Sequence, residues 1–265
     1  MHPSSFPTVL SSALLTICCA ASGTDAFMEE RTEQDHDPLM AEDLPSEMDR
    51  PINDIRLGGG AVQKLTISER VTTPAGTHAD YDWRGLNDWG PSLGFSAVGT
   101  LHQFRRHGAL LVGVGATMQM FDITPDSYRV GGASFPNGRR DLDLQYQTVS
   151  LDLMFGYGTG AWNTRFGAWH LEALAIGSGG LAWADTQGFD STGTAVRRRG
   201  AGWQYAYGPR LGAYLTEHAW VFGVHADYLF SHGEVGITLP NGDKSVVTAE
   251  GDGTFAAQVE IGRRF

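Results

Sequence analysis

From Val149 to Tyr157 the chain alternates, with Met154 the one apolar residue on the opposite face. Val149, Leu151, Leu153, Phe155 and Tyr157 share one face, and Ser150, Asp152 and Gly156 share the other. Period two is the signature of a β-strand. A carboxylate amid an apolar run, yet on the opposite face, requires that the two faces meet different surroundings. Nowhere is there a run of about 18 apolar residues, so a helical membrane span is excluded. Strands that alternate their faces cancel in any window average, and the mean hydropathy of -0.20 is compatible with that.

The same alternation recurs. Trp203, Tyr205, Tyr207, Leu211, Ala213 and Leu215 oppose Gln204, Gly208, Arg210, Gly212 and Tyr214. Phe222, Val224, Ala226 and Tyr228 oppose His225 and Asp227, and Phe255, Ala257, Val259 and Ile261 oppose Gln258, Glu260 and Arg264. Residues 166–184 set Trp169, Leu171 and Trp183 against His170, Glu172 and Ser178. Residues 92–104 and 109–121 add weaker strands, and a first strand over 55–71 is blurred by Gly58, Gly59, Gly60 and Lys64. About eight strands result. The intervals between them alternate long (73–91, 122–142, 185–201, 231–253) and short (105–108, 158–165, 216–218). Long external loops and short periplasmic turns are the expected rhythm of a barrel that crosses a membrane. Pro136-Asn137-Gly138 and Pro240-Asn241-Gly242 mark two turn tips.

Aromatic residues sort to the strand ends, as two interfacial girdles would. Trp83, Trp89, Trp183, Trp203, Tyr205 and Phe230 fall toward the long connections, and Phe104, Phe155, Tyr157, Trp162, Trp169 and Trp220 toward the short ones. The expected fold is therefore all-β: a closed antiparallel up-and-down transmembrane β-barrel over residues 54–265.

Residues 1–23 read as a secretory signal peptide. The apolar stretch from Val9 to Ala21 is too short to span a bilayer and is followed by small residues, with cleavage after Ala21, Gly23 or Ala26. It contains both cysteines, Cys18 and Cys19; Ile17 before Cys18 is larger than a lipidation signal wants. Residues 24–53 read as an acidic, disordered periplasmic leader: nine carboxylates and Arg31 between Met28 and Asp49 account for most of the net charge of -11. The remainder is close to balanced, so no nucleic-acid partner is expected.

The segment from Phe255 to Phe265 alternates and finishes on an aromatic residue. It resembles the insertion signal of outer-membrane barrels, with Val259, Ile261 and Phe265 matching and Arg263 departing from the usual apolar residue. In architecture the chain resembles small eight-stranded bacterial outer-membrane β-barrels, of the kind of the OmpA transmembrane domain, OmpX and the OmpW-like proteins. The resemblance covers residues 55–265 and rests on no diagnostic motif. It implies residence in the outer membrane of a Gram-negative-type bacterium, contact with outer-membrane lipid and lipopolysaccharide, and handling by the barrel-assembly machinery.

The face assignment encloses Lys64, Asp152, His170, Glu172, Arg210, His225, Asp227, Glu260 and Arg264. An eight-stranded barrel is just wide enough for side chains to fill, and ionised groups there must pair. A satisfied plug is the default, and a narrow conducting path is the alternative. Arg197, Arg198 and Arg199, in the third long connection, offer a contact for lipopolysaccharide phosphates. His225, Asp227, Ser231 and His232 bring a hydrolase to mind, because lipid A deacylases are eight-stranded barrels with such residues. Their His-x-Ser-Asn motif is absent here, and no metal spacing stands out, so neither catalysis nor a cofactor is expected. The expected role is structural, surface-interaction or limited-pore. The rival fold is a soluble lipocalin-like barrel binding an apolar ligand, which would turn Val149, Leu151, Leu153, Trp203 and Tyr205 inward and leave Asp152 and Arg210 outside.

Overall fold

The computed structural model describes residues 51–265 except 64, 84–88, 105–106, 125–126, 131–132, 137–141 and 190–193. The signal stretch, the acidic leader up to residue 50, both cysteines and Lys64 lie outside the described residues; the last leader residues belong to the barrel, with Ile52 buried against Thr100 and Asn53 opening the first strand.

Every described element is a strand. They are β1 (Asn53–Gln63), β2 (Thr66–Thr72), β3 (His78–Trp83), β4 (Trp89–Phe104), β5 (Gly108–Ile123), β6 (Ser127–Val130), β7 (Ala133–Pro136), β8 (Asp143–Gly158), β9 (Trp162–Thr164), β10 (Gly167–Phe189), β11 (Ala195–Glu217), β12 (Trp220–Thr238) and β13 (Lys244–Arg264). Eight form the ring β1-β4-β5-β8-β10-β11-β12-β13, each antiparallel to the next, and β13 returns to β1. Stepping along paired residues from Thr100 through Leu111, Gly156, Leu174, Arg210, Asp227 and Ala256 reaches Val62 on the opening strand. The ladder therefore closes with a stagger of about ten residues, which tilts the strands as closure demands.

Two of the long intervals are mostly strand. β10 and β11 pair as far as Phe189 and Ala195, and β12 and β13 as far as Thr238 and Lys244, so most of 185–201 and 231–253 is hairpin ladder. The expected first strand is two elements: β1 and then β2 pair along β13, and β3 folds back on β2. Two hairpin tips use one turn. In both Thr73–Thr77 and Leu239–Asp243 the fourth residue, Gly76 or Gly242, has positive φ and donates its N–H to the first residue's carbonyl. Only a residue without Cβ enters that region freely.

Faces are assigned by exposure. Leu151 and Tyr205 are 61% and 45% exposed, whereas Asp152 and Arg210 are 5% and 6% exposed. The apolar faces point outward and the ionic faces are enclosed, the reverse of the soluble rival. On β11 the outward apolar stretch from Trp203 to Leu215 runs roughly 40 Å along a tilted strand. That is roughly 30 Å of height, enough to cross a bilayer core.

Above this band the pattern inverts. Asp185, Arg197, Arg199, Glu234 and Lys244 point outward, while Ala182, Ala184, Val235, Ile237 and Val247 are buried inside. They join Ile67, Tyr81, Trp83, Phe121, Leu144 and Tyr146 in one apolar core within the projecting part of the barrel. Trp83, expected in the upper girdle, is 2% exposed and packs in this core. The reason is local: β3 stands above the band, where the sheltered side is the inner one.

Candidate functional site: the enclosed ionic network

The lower interior is organised by a residue that the sequence pattern did not single out. Arg56, on β1, is wholly buried and donates to Glu172 through Nη1 at 2.8 Å and Nη2 at 2.5 Å, with Nη2 also reaching Asp54 at 2.8 Å. Its guanidinium lies 3.8 Å from the centre of the Tyr214 ring, and Nη1 is 3.9 Å from Glu260. Tyr214 donates its hydroxyl to Glu260 at 2.8 Å and stacks on His170, whose Nε2 sits 3.1 Å from Glu172. Gly212 and Gly223 make this possible, because a Cβ at either would collide with the Tyr214 ring.

Two bidentate pairs flank the centre. Arg210 grips Asp227 at 2.7 and 2.9 Å, and Arg264 grips Asp54 at 2.7 and 2.9 Å. His225 bridges the groups, with Nδ1 at 3.3 Å from Glu260 and Nε2 at 3.7 Å from Asp227. Asp152 stands apart from the arginines and accepts from Thr117, Ser178 and Ser150 at 2.5, 2.6 and 3.2 Å. Of the residues expected to be enclosed, Asp152, His170, Glu172, Arg210, His225, Asp227 and Glu260 are buried, and Arg264 is partly so. Fork-shaped guanidinium–carboxylate pairing is how such groups are held away from water at tolerable cost.

What this network does chemically is limited. Asp54, His170 and Glu172 present ligand atoms within 4.8 Å of one another, a spacing suited to a metal. Arg56 hydrogen-bonds to both carboxylates, so its guanidinium is the cation that this cluster holds. A hydrolytic constellation does not form. Ser231 faces the interior side of β12, whereas His232 faces outward, tilted against the rings of Trp203 and Tyr205. Near Asp152 a void of about 30 Å³ remains, bordered by Ser150, Arg210, Asp227 and Gln258, with room for about one water molecule.

The arginine run needs correction. Arg197, Arg198 and Arg199 lie in β11, not in a loop, so consecutive residues face opposite ways. Arg198 is 2% exposed and pairs with Glu69 at 2.9 Å inside the projecting barrel, where Glu69 also accepts from Ser245. It is closed to any external phosphate. Arg197 and Arg199 are exposed and share Asp185, each at 2.7 Å. Burial alone would raise the Asp185 carboxyl, but hydrogen bonds from the two guanidiniums outweigh it and hold the group below its ordinary range. Asp143 is pushed the other way, by burial and by the neighbouring Asp122.

Val259, Ile261 and Phe265 point outward on β13 and beyond it, 66%, 49% and 73% exposed, and the Arg263 guanidinium lies 5.8 Å from the Phe265 ring centre.

No family model matches the chain, and no curated protein matches it in sequence. Among solved structures it is similar to the outer membrane protein OprG from Pseudomonas aeruginosa, at 15% identity over 82% of this chain and 98% of that one, with a TM-score of 0.41. It is also similar to the outer membrane protease OmpT from Escherichia coli, at 13% identity over 82% and 97%, with a TM-score of 0.40. Neisserial surface protein A gives 13% identity over 80% and 97%, with a TM-score of 0.30. These values are low, and the architecture rests on the chain's own hydrogen-bonded ring and face pattern. On that ground the chain is an eight-stranded antiparallel β-barrel with an outward apolar band and an enclosed ionic interior.

Proposed function

We propose that the protein is an integral outer-membrane β-barrel with a shut lumen, which works through the β-wall it raises above the bilayer and performs no catalysis. The observation that carries this reading is that the interior is occupied both below and above a small void of about 30 Å³ beside Asp152. The Arg56 network and its flanking pairs fill the lower part, and the apolar core around Trp83, Tyr146 and Ile237 fills the upper part. A projecting wall of rigid hairpins on a closed barrel is a platform for recognition.

Export by the N-terminal apolar stretch, delivery through the outward Val259, Ile261 and Phe265 to the barrel-assembly machinery, and residence among outer-membrane lipid and lipopolysaccharide belong to the same proposal. Planar-bilayer recording with the refolded chain tests the central point. A silent membrane is expected, and a steady ohmic conductance at neutral pH would overturn the shut-lumen reading. Fractionation tests the location: the chain stays with the membrane without detergent and shows a heat-dependent shift on gels. A lipid A mass change on expression would contradict the non-catalytic part.

A further inference from the structure

The outer wall carries a second surface that the lumen network does not use. Cross-strand registers place Trp203 opposite Glu234, Glu234 opposite Thr248, Thr248 opposite Ser68 and Ser68 opposite Asp82. One step lower, Tyr205, His232, Glu250 and Thr66 form a parallel row. Both rows face outward where the apolar band gives way to the polar wall. At one end Trp203 and Tyr205 stack with ring planes 10° apart and centroids 5.7 Å apart, both about half exposed. At the other end β13, β2 and β3 form an open groove of about 670 Å³, bordered by Ser68, Arg70, Asp80, Asp82, Val246 and Thr248.

The chemistry of this strip is selective. Stacked aromatic faces offer a flat apolar patch, and hydroxyls and carboxylates beside them accept and donate hydrogen bonds at short range. That pairing suits a sugar ring, which has one C–H face and a rim of hydroxyls. The strip rejects phosphate: Glu234, Glu250 and Asp82 are acidic, and the Arg70 guanidinium is already held by Asp80 at 2.7 Å. Its height matters too. Tyr207 and Phe230 lie directly below on the same outward face, with Asp252 beside Phe230 and then Tyr228 and Phe255 one step lower, so an occupant with acyl chains along the barrel would bring its headgroup to these rows.

We propose that this strip, from the Trp203–Tyr205 stack to the β13-β2-β3 groove, binds the unphosphorylated saccharide part of a glycolipid in the surrounding outer leaflet. The inference rests on the reading that the apolar band sits in the membrane. The full chain, refolded in a detergent that carries no sugar, is titrated with core oligosaccharide released from lipopolysaccharide and stripped of phosphate, followed by calorimetry. Binding is expected, and the Glu234→Gln, Glu250→Gln pair should weaken it about tenfold, as should Trp203→Leu. Both variants must retain the heat-dependent gel shift, which reports the barrel separately. Absence of binding by a folded, membrane-inserting barrel, or variants that bind unchanged, overturns the inference alone. Competition by inorganic phosphate overturns the chemistry assigned to the strip. Capture of free oligosaccharide without retention of the same saccharide as a glycolipid in vesicles overturns the assignment to the leaflet. A chain that stays soluble without detergent overturns the underlying membrane reading instead.

Discussion

The lower and upper halves of this barrel are built from the same strands with opposite polarity. On β12, Phe222 and Val224 face outward and His225 and Asp227 inward, yet further up the same strand Val235 and Ile237 turn inward and Glu234 outward. The strand period does not change; the solvent does. In the lower half the outside is acyl chain, so polar side chains gather inside and must pair. In the upper half the outside is water, and the hydrophobic effect fills the interior as it would in a soluble barrel. One continuous ladder thus joins two folding regimes. The passage between them is marked by Trp203 and Tyr205 outside and by the void beside Asp152 inside.

If that division is right, the two halves respond differently to equivalent changes. Arg56→Met should have the largest effect, because it leaves Asp54, Glu172 and Glu260 enclosed without their shared cation. A loss of about 3–5 kcal/mol is expected in urea unfolding from vesicles, and adding Glu172→Leu, which leaves Asp54 paired with Arg264, should recover part of it. Truncating the upper core by Leu144→Ala should cost about 2–5 kcal/mol of local stability. That loss should be read as protease sensitivity of the projecting hairpins while the heat-dependent gel shift persists. An outward cation sharpens the contrast: Leu153→Arg should cost about 2–4 kcal/mol against the acyl chains, whereas Gln187→Arg on the projecting wall should cost almost nothing. Equal costs at the two sites would erase the proposed boundary.

The smallest expected effect concerns Asp185. Its carboxyl is held below the ordinary range by Arg197 and Arg199, so its stabilisation is complete above the unfolded-state value of about 3.9 and fades as pH falls through the lower folded value. The guanidiniums are largely exposed, so solvent screening keeps the gain under about 1 kcal/mol. Asp185→Asn should lower the stability of the projecting wall at pH 7 by under about 1 kcal/mol, and the two melting profiles should converge in acid, where the native carboxyl has lost the same contribution.

The lower barrel was legible because its alternation carries large apolar residues on one face and charges on the other. Leu151, Leu153 and Phe155 against Asp152 separate the two faces, and the aromatic girdles, the rhythm of the connections and Phe265 choose which of them is outside. Residues 185–201 and 231–253 were read as loops because their outer residues are polar and small inner residues, as at Gly200, Gly233 and Ala249, thin the alternation of Val235, Ile237 and Val247. A weak alternation of that kind resembles a solvated connection. Arg56 and Asp54 went unnoticed because Gly58, Gly59 and Gly60 follow them and remove the contrast between faces. Those glycines belong to the packing: Gly58 meets Gln258 and Glu260 closely, and Gly60 meets the Ala257 backbone. Partner choice could not be read at all. Arg56 meets Glu172 across 116 positions of sequence, and only the stagger of the ring determines that encounter. The internal Arg198–Glu69 pair was hidden for the same reason, since a run of three arginines looks like one patch until its strand conformation separates the faces.

The ion pair between Arg264 and Asp54 joins the first and last staves across 210 positions, and Phe265 donates its amide to Asn53 at the same seam. Until the two margins meet, Arg264 lacks its carboxylate, Asp54 has Arg56 alone, and Arg56 is without Glu260. Insertion of single staves into lipid would therefore strand ions in a greasy solvent. A sheet that curls and zips shut in one concerted event avoids that penalty, so the seam favours late, all-at-once closure over piecemeal entry.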